Sequence, residues 1–176
     1  MDTATSNPIE NVTYRGLTER LVIDQLVTPA GASEIAEVAR SQSKTLIQEL
    51  LDGNHIDSAA LAAIVSEEYG VPLFNLTPMV HEHLPLDLVP QSLIRKHKAL
   101  PLYRRGNRLF IAIADPTNTS ALAEFKFATG IATDSVVVEQ QQLLETISEV
   151  IAKQDEVFDG DIADFASAED YIPDLD

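Results

Sequence analysis

Cysteine and tryptophan are both absent from this chain of 176 residues. Without cysteine there can be no disulfide, no thiolate metal ligand and no cysteine nucleophile, which fits a reducing compartment. Long apolar runs are also missing, since no stretch approaches the roughly 20 residues that a helix needs to cross a bilayer. The first residues, MDTATSNPIEN, are polar and acidic, unlike a secretory signal. We therefore expect a soluble, cytoplasmic protein.

Basic residues are scarce. The chain has 12 lysines and arginines against 28 aspartates and glutamates, which gives a formal net charge of −16. A general nucleic-acid binder needs cations to replace the counterions of the phosphates. An anionic membrane surface likewise attracts basic segments. The charge therefore excludes these two kinds of partner, and we expect no nucleic acid to be bound.

Motifs for catalysis are missing as well. The chain has no phosphate-binding loop of the form G-x-x-x-x-G-K-[ST], no G-x-G-x-x-G after a strand and no G-x-S-x-G elbow. His81 and His83 are two apart, a spacing that suits a metal only on an extended strand, so we favour solvent-exposed histidines. Asp115 could be catalytic at a strand end, but turn chemistry explains Asp-Pro-Thr-Asn fully. We expect no enzyme activity, no cofactor and no metal site.

The first half of the chain has apolar residues at helical spacing. Leu17, Leu21, Val22 and Leu26 fall on one stripe, and three further amphipathic segments follow. Thr28-Pro29 predicts the start of the second helix, with threonine as N-cap and proline at the first helical position. These features predict four helices within residues 14–77.

The four predicted helices form two copies of one unit. Apolar positions match at a constant offset of 29 residues, and the caps Thr28 and Asp57 match at the same offset. The five apolar pairs are Leu17 with Leu46, Leu21 with Leu50, Val22 with Leu51, Val27 with Ile56, and Ile35 with Ile64. Such a fixed register predicts a duplicated helical hairpin, although amphipathic four-helix bundles also produce coincidences.

The second half predicts a small α/β layer. Residues 98–103 and 108–114 flank a charged turn over 104–107, in which Gly106-Asn107 tolerates the positive φ of a tight hairpin. A helix over 90–97 precedes the hairpin, and a helix over 119–129 follows it. A β-branched run over 134–139 and a helix over 140–153 complete the order α-β-β-α-β-α. The predicted fold class is α+β, with a duplicated helical-hairpin bundle followed by a three-stranded sheet covered by helices.

This pattern gives five predicted segments. They are a flexible arm (1–13), a helical subdomain (14–77), a proline-rich connector (78–89), an α/β subdomain (90–153) and an acidic disordered linker (154–176). The linker assignment rests on nine acidic residues uninterrupted by any base. Scattered apolar residues there, including Phe158, Ile162 and Phe165, leave open a short partner-binding motif.

The basic residues are concentrated in one region. Seven of the twelve lie between Arg95 and Lys126. The seven are Arg95, Lys96, Lys98, Arg104, Arg105, Arg108 and Lys126. They could serve only to keep a strand edge soluble and unpaired. They could equally form an electrostatic docking surface for an acidic partner, and the sequence leaves both interpretations open.

Four stretches carry a resemblance to a known family. They are LVIDQLV, SEEYGVPLFNL, LIRKHKALPLYRRGNRLFIAIADPTN and ALAEFKFATG. The chain resembles, over about residues 14–152, the N-terminal region of type IV pilus assembly ATPases, and more loosely that of type II secretion ATPases. The RKHKALPL to ADPTN part is the specific one, whereas the helical half is more generic.

The resemblance implies a regulatory module of a motor protein. In that family the region precedes a hexameric ATPase core with the nucleotide-binding motifs, none of which occurs here. It implies contacts with that C-terminal core, with a PilZ-type adaptor and with inner-membrane pilus assembly proteins. The expected location is cytoplasmic, peripheral to the inner membrane through these partners.

Some relatives bind cyclic di-GMP through duplicated R-L-G-x-x-L-V-x-x-G-L-I motifs. The resemblance places Gly16 where the first arginine is expected, with Thr18 and Gln25 at glycine positions. In the second copy, Thr45, Ile47 and Asn54 occupy the matching places. Guanidinium is the natural partner of phosphate and guanine, so direct binding of cyclic di-GMP is expected to be lost.

We therefore expect a non-enzymatic docking and regulatory domain, with a cyclic di-GMP sensor as the alternative. The predicted protein-binding residues comprise an apolar helical set and a basic hairpin set. They are Leu17, Leu21, Ile23, Ile47 and Leu51, and Arg104, Arg105 and Arg108. The apolar residues could equally belong to the core, which is the favoured interpretation for Leu21.

Overall fold

The computed structural model describes residues 16–79 and 83–168, with side chains described as far as residue 154. The predicted arm 1–13, the metal-site question at His81 and the last eight residues lie outside this description. The helices are α1 (Leu17–Ile23), α2 (Pro29–Ser41), α3 (Leu46–Asp52), α4 (Ser58–Tyr69), α5 (Gln91–His97), α6 (Thr119–Thr129) and α7 (Gln140–Ala168). The strands are β1 (Leu100–Arg105), β2 (Arg108–Ile113) and β3 (Ala132–Val137).

The chain divides into two compact units, and the boundary lies between Ile56 and Asp57. This division falls inside the segment 14–77 that was predicted as one helical subdomain. The fourth helix is the reason, because α4 contacts β3 and α7 and therefore belongs with the sheet. Unit 1 contains α1 to α3, and unit 2 contains everything from α4 onward.

The helices of unit 1 begin where the sequence chemistry predicts. The Thr28 hydroxyl accepts a hydrogen bond from the Gly31 amide at 3.1 Å, and Pro29 is the first helical residue of α2. Thr45 caps α3 in the same way and exchanges a second hydrogen bond with Gln48, which completes a capping box. Leu21, Ile47 and Leu50 are buried almost completely.

The 29-residue repeat is visible in the backbone. Helices α1 and α3 have equal lengths, and five backbone hydrogen bonds of the first copy recur in the second at the same offset. Written donor first, the pairs are Arg20–Gly16 with Glu49–Thr45, Asp24–Arg20 with Gly53–Glu49, Gln25–Val22 with Asn54–Leu51, Leu26–Leu21 with His55–Leu50, and Ala32–Thr28 with Leu61–Asp57. The left-handed residues Gln25 and Asn54 match as well. The turn between the two helices is therefore duplicated in geometry, not only in apolar pattern.

Unit 2 is built on a mixed sheet of order β1-β2-β3. Strands β1 and β2 form the predicted antiparallel hairpin, and α6 crosses over to place β3 parallel to β2. The structure confirms the α+β class and the order α-β-β-α-β-α. The extended segment after α4 lies beside β3, where the Phe74 amide donates to the Val137 carbonyl. This pairing is a second reason why the chain divides before α4.

The core of unit 2 lies between the sheet and its helices. Phe125 of α6, Leu109 and Ile111 of β2, and Leu143 of α7 are almost fully buried in it. Leu84 and Val89, from the segment predicted as a connector, are also buried in this core. The described part of 78–89 is therefore packed against the sheet, where its proline content had suggested a linker.

Several element boundaries differ from prediction. Strand β1 spans Leu100–Arg105, whereas residues 98–103 were predicted. Strand β3 begins at Ala132, because residues 132–133 pair with Arg108 and Leu109 of β2. Helix α7 was predicted to end at Lys153 but continues to Ala168. Residues 154–168 are thus helical, whereas the acidic composition had suggested a disordered linker. No proline occurs between Lys153 and Pro173, so no proline interrupts the helix in this segment.

Candidate docking site on the basic hairpin

The β1–β2 hairpin extends beyond the core. The first three residues of β1 are buried, whereas Tyr103 to Arg108 are exposed. Gly106 has a φ of 58°, which the tight turn requires and which glycine adopts without steric cost. We call residues Tyr103–Arg108 the basic hairpin tip. It contains three of the eight residues predicted as protein-binding, and the structure brings them together at one end of the sheet.

An aromatic pair supports the tip from one face. The rings of Tyr103 and Phe110 are stacked, with centroids 4.6 Å apart and planes 19° from parallel. Cross-strand aromatic pairs stabilise a hairpin by roughly 0.2–1 kcal/mol. Tyr103 remains 37% exposed, so the pair also presents apolar surface beside the arginines. The tip therefore combines cations with an aromatic ring, a combination that suits protein recognition.

The three arginines of the tip have different surroundings. Arg104 donates from Nε to the Gly106 carbonyl at 2.9 Å, so its side chain folds back over the turn. Arg108 donates from a guanidinium nitrogen to Asp134 Oδ2 at 2.6 Å, which ties β2 to β3. Within the described part of the chain, Arg105 has no acidic partner. Arg105 is therefore the cation of the tip most available to an incoming carboxylate.

A second group of charges joins α5 to α6. Lys96 Nζ lies 2.7 Å from Glu124 Oε2, and His97 Nε2 lies 3.0 Å from the same oxygen. The hydrogen bonds from Lys96, and then from His97, lower the pKa of the Glu124 carboxyl below its ordinary value. Lys96 is therefore engaged within the domain, which reduces the positive charge available to a partner on this side.

The predicted apolar set divides by burial. Leu17, Leu21 and Ile47 are 4%, 2% and 1% exposed, so they belong to the core and offer no surface to a partner. Leu51 is half-buried, and Ile23 is 65% exposed. The sequence pattern alone cannot separate an apolar stripe that faces the core from one that faces a partner.

An apolar spot remains at the end of α1. Ile23 and Leu26 are both exposed there, although only Ile23 was predicted as a contact. The equivalent positions of the second copy are Asp52 and His55, which are polar. The two copies therefore differ in surface chemistry at matching places, and the first copy alone presents this apolar spot.

The positions that the resemblance assigned to arginine and glycine can now be located. Gly16 has φ 66° and ψ −139°, a combination in which a residue with a Cβ is strained. Its counterpart Thr45 is the N-cap of α3, with its hydroxyl already bonded to Gln48. Gln25 and Asn54 have φ values of 58° and 51°. Both turns thus keep a left-handed residue where the resemblance expects glycine.

Two surface features were not predicted. Phe127 on α6 is 93% exposed, because it lies on the helix face opposite the buried Phe125 and Ala121. A groove of about 500 Å³ lies between α5 and α7, with Ile94 and Ile151 in its floor. The helical spacing of Leu144, Ser148 and Ala152 could have indicated the groove wall, but their mixed polarity obscured it.

Neither a metal centre nor a membrane span is found in the described residues. Within 16–79 and 83–154, where side chains are described, no three histidine, aspartate or glutamate side chains are grouped so that they could hold a metal ion. None of the helices described is both long and apolar enough to cross a bilayer. Asp115 is buried and bonds to the amide of Thr117, in agreement with its predicted role in the turn.

Comparison with known proteins gives a family match and several relatives. The MshEN domain model matches residues 69–157. The chain is 31% identical over 134 residues to the type IV pilus assembly ATPase PilB of Pseudomonas aeruginosa, covering 76% of the chain and 24% of that protein. It is 29% identical to PilB of Myxococcus xanthus, over 78% of the chain and 24% of that protein. The chain thus spans about a quarter of the length of these relatives.

Solved structures share the fold. The structure of MshE with cdg superposes with a TM-score of 0.60 at 19% identity, covering 78% of the chain and 99% of that structure. An N-terminal domain of XpsE gives a TM-score of 0.62 at 17% identity, covering 77% and 96%. At these identities the similarity establishes a common architecture and no more.

Proposed function

The chain belongs to the MshEN domain family and is homologous to the N-terminal region of PilB, and we propose that it is the docking and regulatory module of a pilus-assembly motor ATPase. In this role it performs no chemistry itself. It couples the motor that drives pilin polymerisation to proteins that control or anchor it.

The proposed partners are of three kinds. A PilZ-type adaptor binds the module in the cytoplasm, inner-membrane assembly proteins hold it beside the membrane, and the hexameric ATPase core of a longer parent chain follows it. The similarity to PilB of three bacteria supports this assignment. The module is cytoplasmic and reaches the inner membrane only through its partners.

The observation that carries the proposal is the basic hairpin tip. In a chain of net charge −16, Arg104 and Arg105 form an exposed positive site at the end of a rigid hairpin. A positive site on an acidic body attracts an acidic partner surface and repels misaligned encounters, which raises the association rate and sets orientation. The adjacent ring of Tyr103 adds apolar contact area.

The apolar spot of Ile23 and Leu26 offers a second contact. Its exposed side chains lie in unit 1, so we propose it as a separate anchor of the adaptor. Buried apolar anchors contribute most of the affinity of an interface, whereas charged sites at its rim control association rate. The half-buried Leu51 remains a candidate contact of unit 1, whereas the buried Leu17, Leu21 and Ile47 do not.

Charge reversal at the tip tests the docking role. The variant Arg104→Glu with Arg105→Glu is compared with the original chain for binding of a PilZ-type adaptor by surface plasmon resonance at several salt concentrations. We expect the association rate to fall by about tenfold at low salt, and its salt dependence to flatten. The dissociation rate should change less.

A matched control removes the effect of net charge. Lys126→Glu with Ala123→Glu and Ala128→Glu has the same change in net charge, alters exposed positions on α6 and leaves the hairpin intact. It should bind the adaptor nearly as well as the original chain. Equal association rates for the hairpin variant and this control, across all salt concentrations, would exclude the tip as the docking site.

A cyclic di-GMP sensor is the second candidate function. It is favoured by the solved relative MshE, whose structure contains cdg. The residues of this chain argue against it, because neither Gly16 nor Thr45 supplies the guanidinium expected at that position. The backbone at Gly16 also opposes it, since an arginine would adopt the conformation of Gly16 only under strain. Calorimetric titration with cyclic di-GMP distinguishes the two functions.

A further inference from the structure

The groove between α5 and α7 has the dimensions of a helix-binding site. Ile94, Ile147 and Ile151 form its buried floor, and Leu144, Ser148 and Ala152 form one wall. The wall residues are spaced four apart, so they line about 12 Å along the axis of α7. Serine and alanine leave room for a second helix to approach closely.

A hydrogen bond connects α5 and α7 near one end of the groove. The side-chain amide of Gln91 donates to the side-chain oxygen of Gln154 at 3.3 Å.

Positive charge lies along the opposite wall. Arg95 and Lys98 of α5 line the groove, and both are exposed. Lys98 has no acidic partner among the side chains that the structure describes. An apolar floor beside the exposed Lys98 fits an amphipathic helix that carries carboxylates along one side of its apolar stripe.

The chain itself contains such a helix. Residues 155–168 continue α7 and include five acidic residues and no base. Their sequence places Phe158, Ile162 and Phe165 at spacings of four and three, the pattern of one helix face. The length, about 21 Å, exceeds that of the groove. The sequence therefore supplies an occupant whose charge and apolar spacing complement the site.

This occupant must come from another molecule. The groove wall and residues 155–168 belong to one continuous helix, so residue 162 lies about 21 Å along the axis from residue 148. A helix cannot fold back onto its own side without breaking. The groove of one copy is thus open to the end of α7 from a second copy.

We propose that copies of this domain associate by placing residues 155–168 of α7 from one copy in the α5–α7 groove of another. The contact is small compared with a standard interface of roughly 800 Å² per partner, so it is weak in isolation. It becomes effective where copies are held at high local concentration, as in an oligomer. The proposal depends on the groove and the helix alone and does not require the hairpin tip to bind an adaptor.

Sedimentation of the 176-residue chain tests the association. We expect a monomer at about 10 µM and a concentration-dependent dimer or larger species approaching about 500 µM. A groove variant, Lys98→Glu with Ser148→Glu, and a helix variant, Phe158→Ser with Ile162→Ser, should each associate at least about tenfold more weakly. The variant Lys126→Glu with Ala123→Glu has the same change in net charge as the groove variant, lies on α6, and should associate like the original chain.

Mixing the two variants separates loss of contact from loss of folding. The groove variant keeps an intact helix, and the helix variant keeps an intact groove, so an equal mixture should recover one contact and form heterodimers. A monomer at all concentrations of the original chain, unchanged association of either variant, or a mixture that fails to recover would each overturn the proposal. Circular dichroism of each variant confirms that it is folded.

Discussion

Two residues with left-handed backbone occupy matching positions in the two copies of the repeat. Gln25 and Asn54 adopt left-handed backbone at matching positions of the repeat. Both turns therefore keep their geometry although glycine, the residue best suited to it, is absent. Asparagine tolerates this region better than glutamine, because its short side chain can hydrogen-bond locally. The repeat thus has the same backbone geometry in both copies, although neither copy has glycine at this position.

This conformation gives a prediction for Gln25. The substitution Gln25→Gly should raise the free energy of unfolding of unit 1 by up to about 1 kcal/mol, because it removes left-handed strain of roughly 1–2 kcal/mol and adds some entropy to the unfolded chain. Chemical denaturation measures the change. Gln42→Gly is the matched control, since Gln42 has a φ of −92° and gains no relief. Stabilisation by the control and not by Gln25→Gly would contradict the explanation.

The exposed fraction of each side chain separates the predicted contacts into core residues and surface residues. Leu17 and Ile23 lie on the same short helix and look alike in the sequence, yet one is 4% and the other 65% exposed. In an amphipathic helix, apolar residues have the same spacing whether they face the core or a partner. The exposure of the hairpin arginines was easier to predict, because a turn between two strands generally lies on the protein surface.

At the scale of elements, ion pairs connect helices that the sequence could not pair. Lys96 of α5 and Glu124 of α6 are 28 positions apart. Nothing in the local pattern links them. Helix caps, in contrast, can be predicted from the local sequence. Thr28, Asp57 and Asn118 each accept a hydrogen bond from the backbone amide three residues later.

The Glu124 contact predicts a dependence of stability on pH. Its pKa is lower in the folded chain than the ordinary value of 4.5, because Lys96 and then His97 bond the ionised form. A lowered pKa in the folded state contributes stability above the unfolded pKa, and this contribution is lost as the pH falls through the folded value. The original chain should therefore be more stable than Glu124→Gln at neutral pH. Their difference should shrink steadily below about pH 4.5.

Thermal unfolding at a series of pH values measures this difference. Glu68→Gln is a suitable control, because Glu68 is exposed on α4 and has no cationic partner among the described side chains. It should show no comparable loss at neutral pH. A constant difference between the original chain and Glu124→Gln from pH 7 to pH 3 would show that the carboxylate is not the stabilising group.

The length of α7 was the element least predictable from sequence. Acidic composition after Lys153 suggested a linker, because highly charged segments with few apolar residues usually remain unfolded. The helix nevertheless reaches Ala168. The spacing of Phe158, Ile162 and Phe165 was the available signal, and composition obscured it. Strand and helix order in unit 2 was predictable because alternation, glycine turns and caps agree there.

At the scale of the whole molecule, the charge is distributed unevenly, since seven of the twelve basic residues lie between Arg95 and Lys126. The electrostatic potential of an acidic chain with an exposed basic hairpin favours the approach of an acidic partner towards the hairpin. Salt screens this potential over about 10 Å at moderate ionic strength. The sequence predicted the basic region and its exposure. It could not predict the groove between α5 and α7, since these helices are far apart in the chain and meet only in the folded unit.

The central claim is that this domain binds protein partners and not a nucleotide. One calorimetric series tests it most directly, with the 176-residue chain titrated separately with a PilZ-type adaptor and with cyclic di-GMP. The account predicts adaptor binding with a dissociation constant near about 1 µM, and no dinucleotide binding up to about 100 µM. Micromolar binding of cyclic di-GMP, with no binding of the adaptor, would contradict it.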